Sequence, residues 1–238
     1  MADLESLRLK VRQLLHFSAP TDALAVYYAF YHDDKRTRLH VHEGRDGRPD
    51  GFVAICQTGQ RLFAPTVVLR TPDARVAVTL LREALVPHRP YYIVTTPDLR
   101  EPVTEVMEIE RPEVNHIYQL DLFRMPFSIN ILVEAEMGPR DLPRFIIRSQ
   151  GEVAAEAGIS WASPHFAELF VRTAPDARRR GWGQAVLLAC TTWVVRSGRQ
   201  PLYVVNRGNK ASIALAESVG FVDTGAREFA GEGVCRGS

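Results

Sequence analysis

The chain has almost no net charge. Its 29 lysines and arginines oppose 28 aspartates and glutamates, a balance of +1 over 238 residues. So even a balance gives no global field toward nucleic acid or an anionic membrane, and neither partner is expected. Lysine is scarce, with only Lys10, Lys35 and Lys210, so the positive charge is arginine. Cysteine is scarce too. Cys56, Cys190 and Cys235 are odd in number and far apart, which excludes a disulfide framework and a zinc-ligand spacing. Free cysteines fit a reducing compartment, and a cytoplasmic protein is expected. No apolar run approaches the ~20 residues of a membrane span. Met1-Ala2-Asp3-Leu4-Glu5 lacks the basic start of a signal peptide. His40-Val41-His42 puts two imidazoles on one strand face but has no third ligand, so exposed hairpin residues are expected there and no metal site.

What is present is an ordinary globular composition, 46% hydrophobic and 24% charged, in a length that suits one large or two small domains. One stretch stands out. A strand-like run, residues 167–173, leads through Arg178-Arg179-Arg180-Gly181-Trp182-Gly183 into a helix-like run, residues 184–196. A strand turning through a glycine-rich loop into a helix start gathers backbone N–H groups, and the helix dipole adds partial positive charge. Gly181 and Gly183 allow close approach and positive φ, and three arginines add charge-assisted contacts. The chemistry implied is phosphate or pyrophosphate binding. It is not a P-loop, because Gln184-Ala185 follows in place of Lys-Ser/Thr. It is not a dinucleotide fingerprint, because Val186 stands where a third small residue is needed.

The stretch Val171-Arg172-Thr173-Ala174-Pro175-Asp176-Ala177 followed by R-x-x-G-x-G resembles the acyl-CoA-binding motif of the GNAT acetyltransferase superfamily. The likeness continues through Pro201-Leu202-Tyr203-Val204-Val205-Asn206 to Asn209, Ser212 and Gly220-Phe221. It covers about residues 145–230, and its wording looks most like the glycine N-acyltransferase-like branch.

The two halves of the chain share a pattern. Val67-Val68-Leu69-Arg70-Thr71-Pro72-Asp73-Ala74-Arg75 parallels Leu169-Phe170-Val171-Arg172-Thr173-Ala174-Pro175-Asp176-Ala177-Arg178. Each precedes an apolar helix-like run, 76–85 or 184–196, and then a strand, 90–94 or 201–205. A repeat of this length indicates a duplicated domain. Ahead of it the pattern predicts a helix over 4–17, strands over 24–32, 37–43 and 51–57 with a Gly44–Gly47 turn, and, later, a strand over 115–123. This is the GNAT order. The expected fold is α+β (mixed α/β), with two GNAT-like halves, each a mostly antiparallel sheet flanked by helices. Residues 1–122 form a degenerate half without a cofactor site, since Arg75-Val76-Ala77-Val78 carries no glycine; residues 123–238 form the acyl-CoA-binding half. Between 123 and 144 there is room for a strand over 129–136 but not for the family's two helices. The first half is therefore expected to complete the acceptor site.

The resemblance implies an N-acetyltransferase that uses acetyl-CoA as co-substrate and an amine as acceptor. The cofactor set is Val171, Arg172, Thr173, Arg178, Arg179, Arg180, Gly181, Trp182, Gly183, Gln184, Asn209 and Ser212, the strand residues acting through their backbone. An ammonium ionises near ~10, so a general base helps the attack. Glu168 is the nearest candidate, against an ordinary strand-edge carboxylate; Glu152, Glu156 and His165 stand behind it. The family's tyrosine acid falls on Ala216 and is missing. Ser212 is the catalytic candidate beside the sulfur, against a helix-capping hydroxyl. A non-catalytic acyl-CoA-binding module is the alternative.

Overall fold

The computed structural model describes residues 3–59, 61–127, 130–138 and 141–237. By its internal contacts the chain divides into two units. One comprises residues up to Asn115 together with those from Arg227 on; the other runs from His116 to Ala226. The sequence reading puts the division after residue 122. The last strand, β12 (Phe221–Cys235), begins in the second unit and ends in the first.

The first unit opens on α1 (Leu4–Val11), which tightens into a 3-10 turn, Arg12–Leu14. Leu4, Leu7, Val11 and Leu14 recur at helical spacing and pack with Leu39, Phe52 and Val68. Residues 24–32, which read as a strand, are helical instead: α2 (Ala23–Val26) runs into a π-helical turn, Tyr27–Tyr31. The aromatic content favours a strand, but packing decides the outcome. Ala25, Val26 and Ala29 are buried together, at the spacing of one helix face. β1 (Thr37–Glu43) and β2 (Pro49–Cys56) form the expected hairpin. β3 (Thr66–Arg70) is antiparallel to β2 and buried throughout. α3 (Ala74–Ala84) crosses to β4 (Pro90–Thr95), which is parallel to β3. α4 (Arg100–Val106) and β5 (Met107–Ile109) follow, unforeseen from sequence. β6 (Glu113–Leu120) then leaves the unit. The end of β12 pairs antiparallel with β4 and β5.

In the second unit β7 (Glu134–Met137), β8 (Pro143–Ser149), β9 (Glu152–Ala162) and β10 (Phe166–Thr173) make an antiparallel meander. Ile129 of the expected strand lies outside the described residues. α5 (Trp182–Arg196) crosses to β11 (Gln200–Asn206), which is parallel to β10. α6 (Lys210–Ser218) leads into β12. The sheet order is β6–β11–β10–β9–β8–β7. α5 buries Val186, Leu187, Cys190 and Val194 in a core shared with Ile147, Ala157 and Leu169. This fixes the start of α5 beside the end of β10. No helix of the described residues is long and apolar enough to cross a membrane.

Candidate functional site

The site begins where two parallel strands stop pairing. β10 and β11 are in register from Phe166↔Gln200 to Leu169↔Tyr203. Both strands continue, β10 to Thr173 and β11 to Asn206, without further pairing to one another. β10 stays paired with β9 as far as Thr173↔Ala155. A wedge therefore opens along one edge of residues 170–173. Among the described residues, backbone groups on that edge have no strand partner, and such groups seek one.

The loop beyond is shaped for an anion. Arg179 has φ 62 and Gly181 has φ 76. Two left-handed residues this close together bend the chain sharply just ahead of the helix start, in the kind of turn that can gather backbone N–H groups around an anion. Arg179 holds this conformation without the freedom of glycine, a local strain of the kind found at binding loops. Gly181 is the N-cap of α5, and among the described residues no side chain caps that helix. Its first-turn N–H groups, and the positive end of its dipole, stay available. Gly183 has a different reason to be glycine: a Cβ there would lie 2.8 Å from Thr173 Oγ1. The helix start thus lies against the end of β10.

Wedge and loop together make a cleft of about 550 Å³. Val171 and Thr173 line it from β10; Arg178, Arg179, Gly181, Trp182, Gly183 and Gln184 from the loop and helix start; Asn209 and Ser212 from α6. Ala211, Leu215 and Ser218 of α6 complete the wall, and no motif had marked them. Gln184 Nε2 donates to the Ser218 carbonyl at 3.1 Å, tying α5 to α6.

Three residues of the sequence-derived set are not part of this lining. Arg172 is 78% exposed at its side chain, and its Nη1 pairs with Glu156 Oε1 at 3.3 Å. Strand alternation puts it on the opposite face from Val171 and Thr173. Arg180 holds its guanidinium over the Trp182 ring, 5.0 Å from the centroid. Glu168 accepts a hydrogen bond from Trp161 Nε1 at 2.6 Å. The pairing of β10 with β9 shifts register between Glu168 and Leu169, the extra residue being Ser160 on β9. The indole holds the Glu168 carboxylate. Glu156 is committed to Arg144 and Arg172. His165 is exposed in its turn. Away from the cleft, His42 Nδ1 lies 2.6 Å from Asp50 Oδ1.

On α6 the sequence left two readings of Ser212, and local geometry separates them. Asn209 is the cap: its Oδ1 accepts from the Ser212 N–H at 3.1 Å. The Ser212 hydroxyl instead lies 2.7 Å from the Tyr203 hydroxyl. Ala216, where the family resemblance would put a tyrosine, is 0% exposed.

Residues 149–230 match the FR47-like protein family model. No curated protein sequence matches the chain. Among solved structures, a Drosophila protein is similar at 14% identity, with a TM-score of 0.66, over 99% of this chain and 96% of its own. A GCN5-related N-acetyltransferase from Sphaerobacter thermophilus is similar at 10% identity and a TM-score of 0.63, over 100% and 95%. A tandem GNAT protein from the clavulanic acid biosynthesis pathway is similar at 12% identity and a TM-score of 0.56, over 99% and 94%. This chain has the GNAT fold. Within the GNAT fold, the parted strands and the uncapped helix start face one cleft, and their chemistry suits an acyl-CoA. The wedge offers backbone groups to amides and an acyl carbonyl, and the loop offers convergent N–H groups and arginines to a pyrophosphate. Sequence reasoning missed the Tyr203 hydroxyl, because a strand residue in an apolar run reads as core. The signal available was its polar tip, which seeks a partner when the ring is buried.

Proposed function

We propose that the protein is an acyl-CoA-dependent N-acyltransferase that moves an acetyl group from acetyl-CoA to the amine of a small or amino-acid-like molecule. The observation that carries this reading is the parting of β10 and β11 beside a helix start that no side chain caps. Val171 and Thr173 would hold the thioester arm through their backbone. Arg178, Arg179 and the N–H groups of residues 181–184 would hold the pyrophosphate. Asn209 and Ser212 would flank the arm from α6. Arg172 and Arg180 contribute through their backbone, since their side chains are engaged elsewhere. Bound acetyl-CoA supplies an activated acyl thioester. Glu168, held by Trp161, is the base that takes the amine proton, directly or through water. The wording around Tyr203 and Asn209 supports the glycine N-acyltransferase-like branch. The repeated strand–turn–helix supports a tandem of GNAT-like halves, the first without a cofactor site. Cys56, Cys190 and Cys235, all free and buried, support a cytoplasmic setting.

A second reading has an observation of its own. With buried Ala216 in the place of a tyrosine acid, the cleft suits a module that binds acyl-CoA without turning it over. Calorimetry with acetyl-CoA, followed by free-thiol release with glycine, other amino acids and polyamines as acceptors, separates the cases. Binding with amine-dependent release is the expected result. Binding without release leaves the module, and no binding overturns both.

A further inference from the structure

We propose that Tyr203 orients Ser212, so that the Ser212 hydroxyl donates a hydrogen bond to the sulfur that leaves when the acyl group is transferred. Ser212 is then the catalytic group and Tyr203 its positioning residue. The pair fills the role left by the alanine at 216. The inference rests on the acyl-CoA reading above and adds the leaving-group side of the reaction.

Ser212 lines the cleft in the first turn of α6. A serine there commonly serves as a cap, but Asn209 already does so. The Ser212 hydroxyl meets Tyr203 Oη at 2.7 Å. Tyr203 is the last β11 residue still paired with β10, so it stands at the vertex of the wedge. Its ring is 4% exposed and lies against Phe221, with centroids 5.8 Å apart. Burial raises its ionisation above the ordinary phenol value, so its proton stays on at physiological pH. A buried O–H that fails to donate loses a hydrogen bond. Among the described residues its hydrogen-bond partner is Ser212 Oγ, and of the two possible donors we assign Tyr203. Once Tyr203 donates to Ser212, the single hydrogen of Ser212 is free to donate to a group in the cleft that Ser212 lines.

The step balances without a proton leaving Tyr203. The amine lone pair forms the new C–N bond, and the amine proton goes to Glu168 or water. The C–S electron pair leaves on sulfur, whose developing charge receives the Ser212 hydrogen bond. The thiolate takes its proton from water as it departs. A phenol with raised ionisation is a weaker acid than a thiol near ~8.5, so hydrogen bonding and not proton transfer is the role its chemistry allows. Ala216, one turn further and fully buried, offers no hydroxyl of its own.

The test uses coenzyme A itself, whose thiol is free, with acetyl-CoA as control. A donor aimed at sulfur favours the thiolate and lowers the ionisation of the bound thiol. Coenzyme A affinity should then rise about tenfold as pH climbs from the bound toward the free thiol value, while acetyl-CoA affinity stays level. Tyr203→Phe and Ser212→Ala should each flatten that rise, and Ser212→Thr should keep it. With acetyl-CoA as substrate, each of the first two should lower kcat about tenfold with little change in KM, and the double variant should be no worse than Ser212→Ala alone. Should Tyr203→Phe fold poorly, Ser212→Ala probes the same bond from the half-exposed helix side. A Tyr203→Phe protein that keeps the parent's pH-dependent affinity and kcat overturns the proposal. So does a parent that binds both ligands with no pH dependence. A parent that binds neither overturns the acyl-CoA reading beneath it.

Discussion

Two passages of this chain use nearly the same words to opposite effect. Leu69-Arg70-Thr71-Pro72-Asp73 ends β3 of the first unit, and Val171-Arg172-Thr173-Ala174-Pro175-Asp176 ends β10 of the second. In both, a parallel partner strand stops pairing just before the turn. In the first unit the gap is plugged from within. Thr95 Oγ1 and Arg70 Nη1 both donate to the Leu69 carbonyl, each at 2.9 Å. Arg70 is folded inward, its side chain 8% exposed, with Nη2 on the Thr21 carbonyl and Nε 3.6 Å from Asp22 Oδ1. The helix start is occupied as well: Asp73 Oδ1 accepts from the N–H groups of Arg75 and Val76 at 2.7 and 3.3 Å. An internal carboxylate already sits where an external anion would go. In the second unit the equivalent arginine points to solvent and the equivalent aspartate, Asp176, is exposed. A longer loop with Gly181 and Gly183 brings α5 in uncapped. A ligand site of this kind is made as much by leaving backbone groups unsatisfied as by supplying side chains.

The largest expected effect is at the plug. Arg70→Ala leaves Asp22 without its buried cation and the Leu69 and Thr21 carbonyls without a donor, so urea denaturation should show a loss of about 3–5 kcal/mol. Arg172→Ala, at the same place in the second copy, should barely move the midpoint. Equal costs would mean that the two arginines do the same work, and the distinction between a plugged and an open wedge would fail.

The caps give a smaller effect. Asp73→Ala should destabilise by about 1 kcal/mol, the usual value of an N-cap. Asp176→Ala should leave thermal stability nearly where it was, because among the described residues its carboxylate caps neither the 3-10 turn Pro175–Ala177 nor α5. A matching loss at Asp176 would place a cap where the second unit is held to have none.

Much of this was legible in the sequence, for reasons that differ by element. The hairpin β1–β2, α3, α5 and the Asn209 cap of α6 follow from alternation, helical spacing and cap chemistry, all of them local. The glycine loop is legible because two glycines between a strand and a helix start signal positive φ and close approach; Gly181 does take positive φ, whereas Gly183 is kept small by Thr173, a contact with no local sign. Residues 24–32 were misread because burial of Ala25, Val26 and Ala29 outweighs the strand preference of the tyrosines. The run of β12 from one unit into the other had no local sign, since its pairing with β4 joins residues far apart in the chain. The inward turn of Arg70 and the outward turn of Arg172 were equally hidden. Their flanking words match, and only the partners Thr21 and Asp22 tell them apart.

The most direct measurement is the stoichiometry of acetyl-CoA on the full chain by calorimetry, in the parent and in Gly181→Val. At Gly181 a Cβ meets nothing within 4 Å, so the substitution acts on the left-handed backbone and on the approach of the anion, not through a clash inside the fold. One molecule per chain is expected, with affinity lowered by about 1–3 kcal/mol in the variant, the scale of lost hydrogen bonds. Two molecules per chain, or a folded Gly181→Val protein that binds as tightly as the parent, would contradict the account.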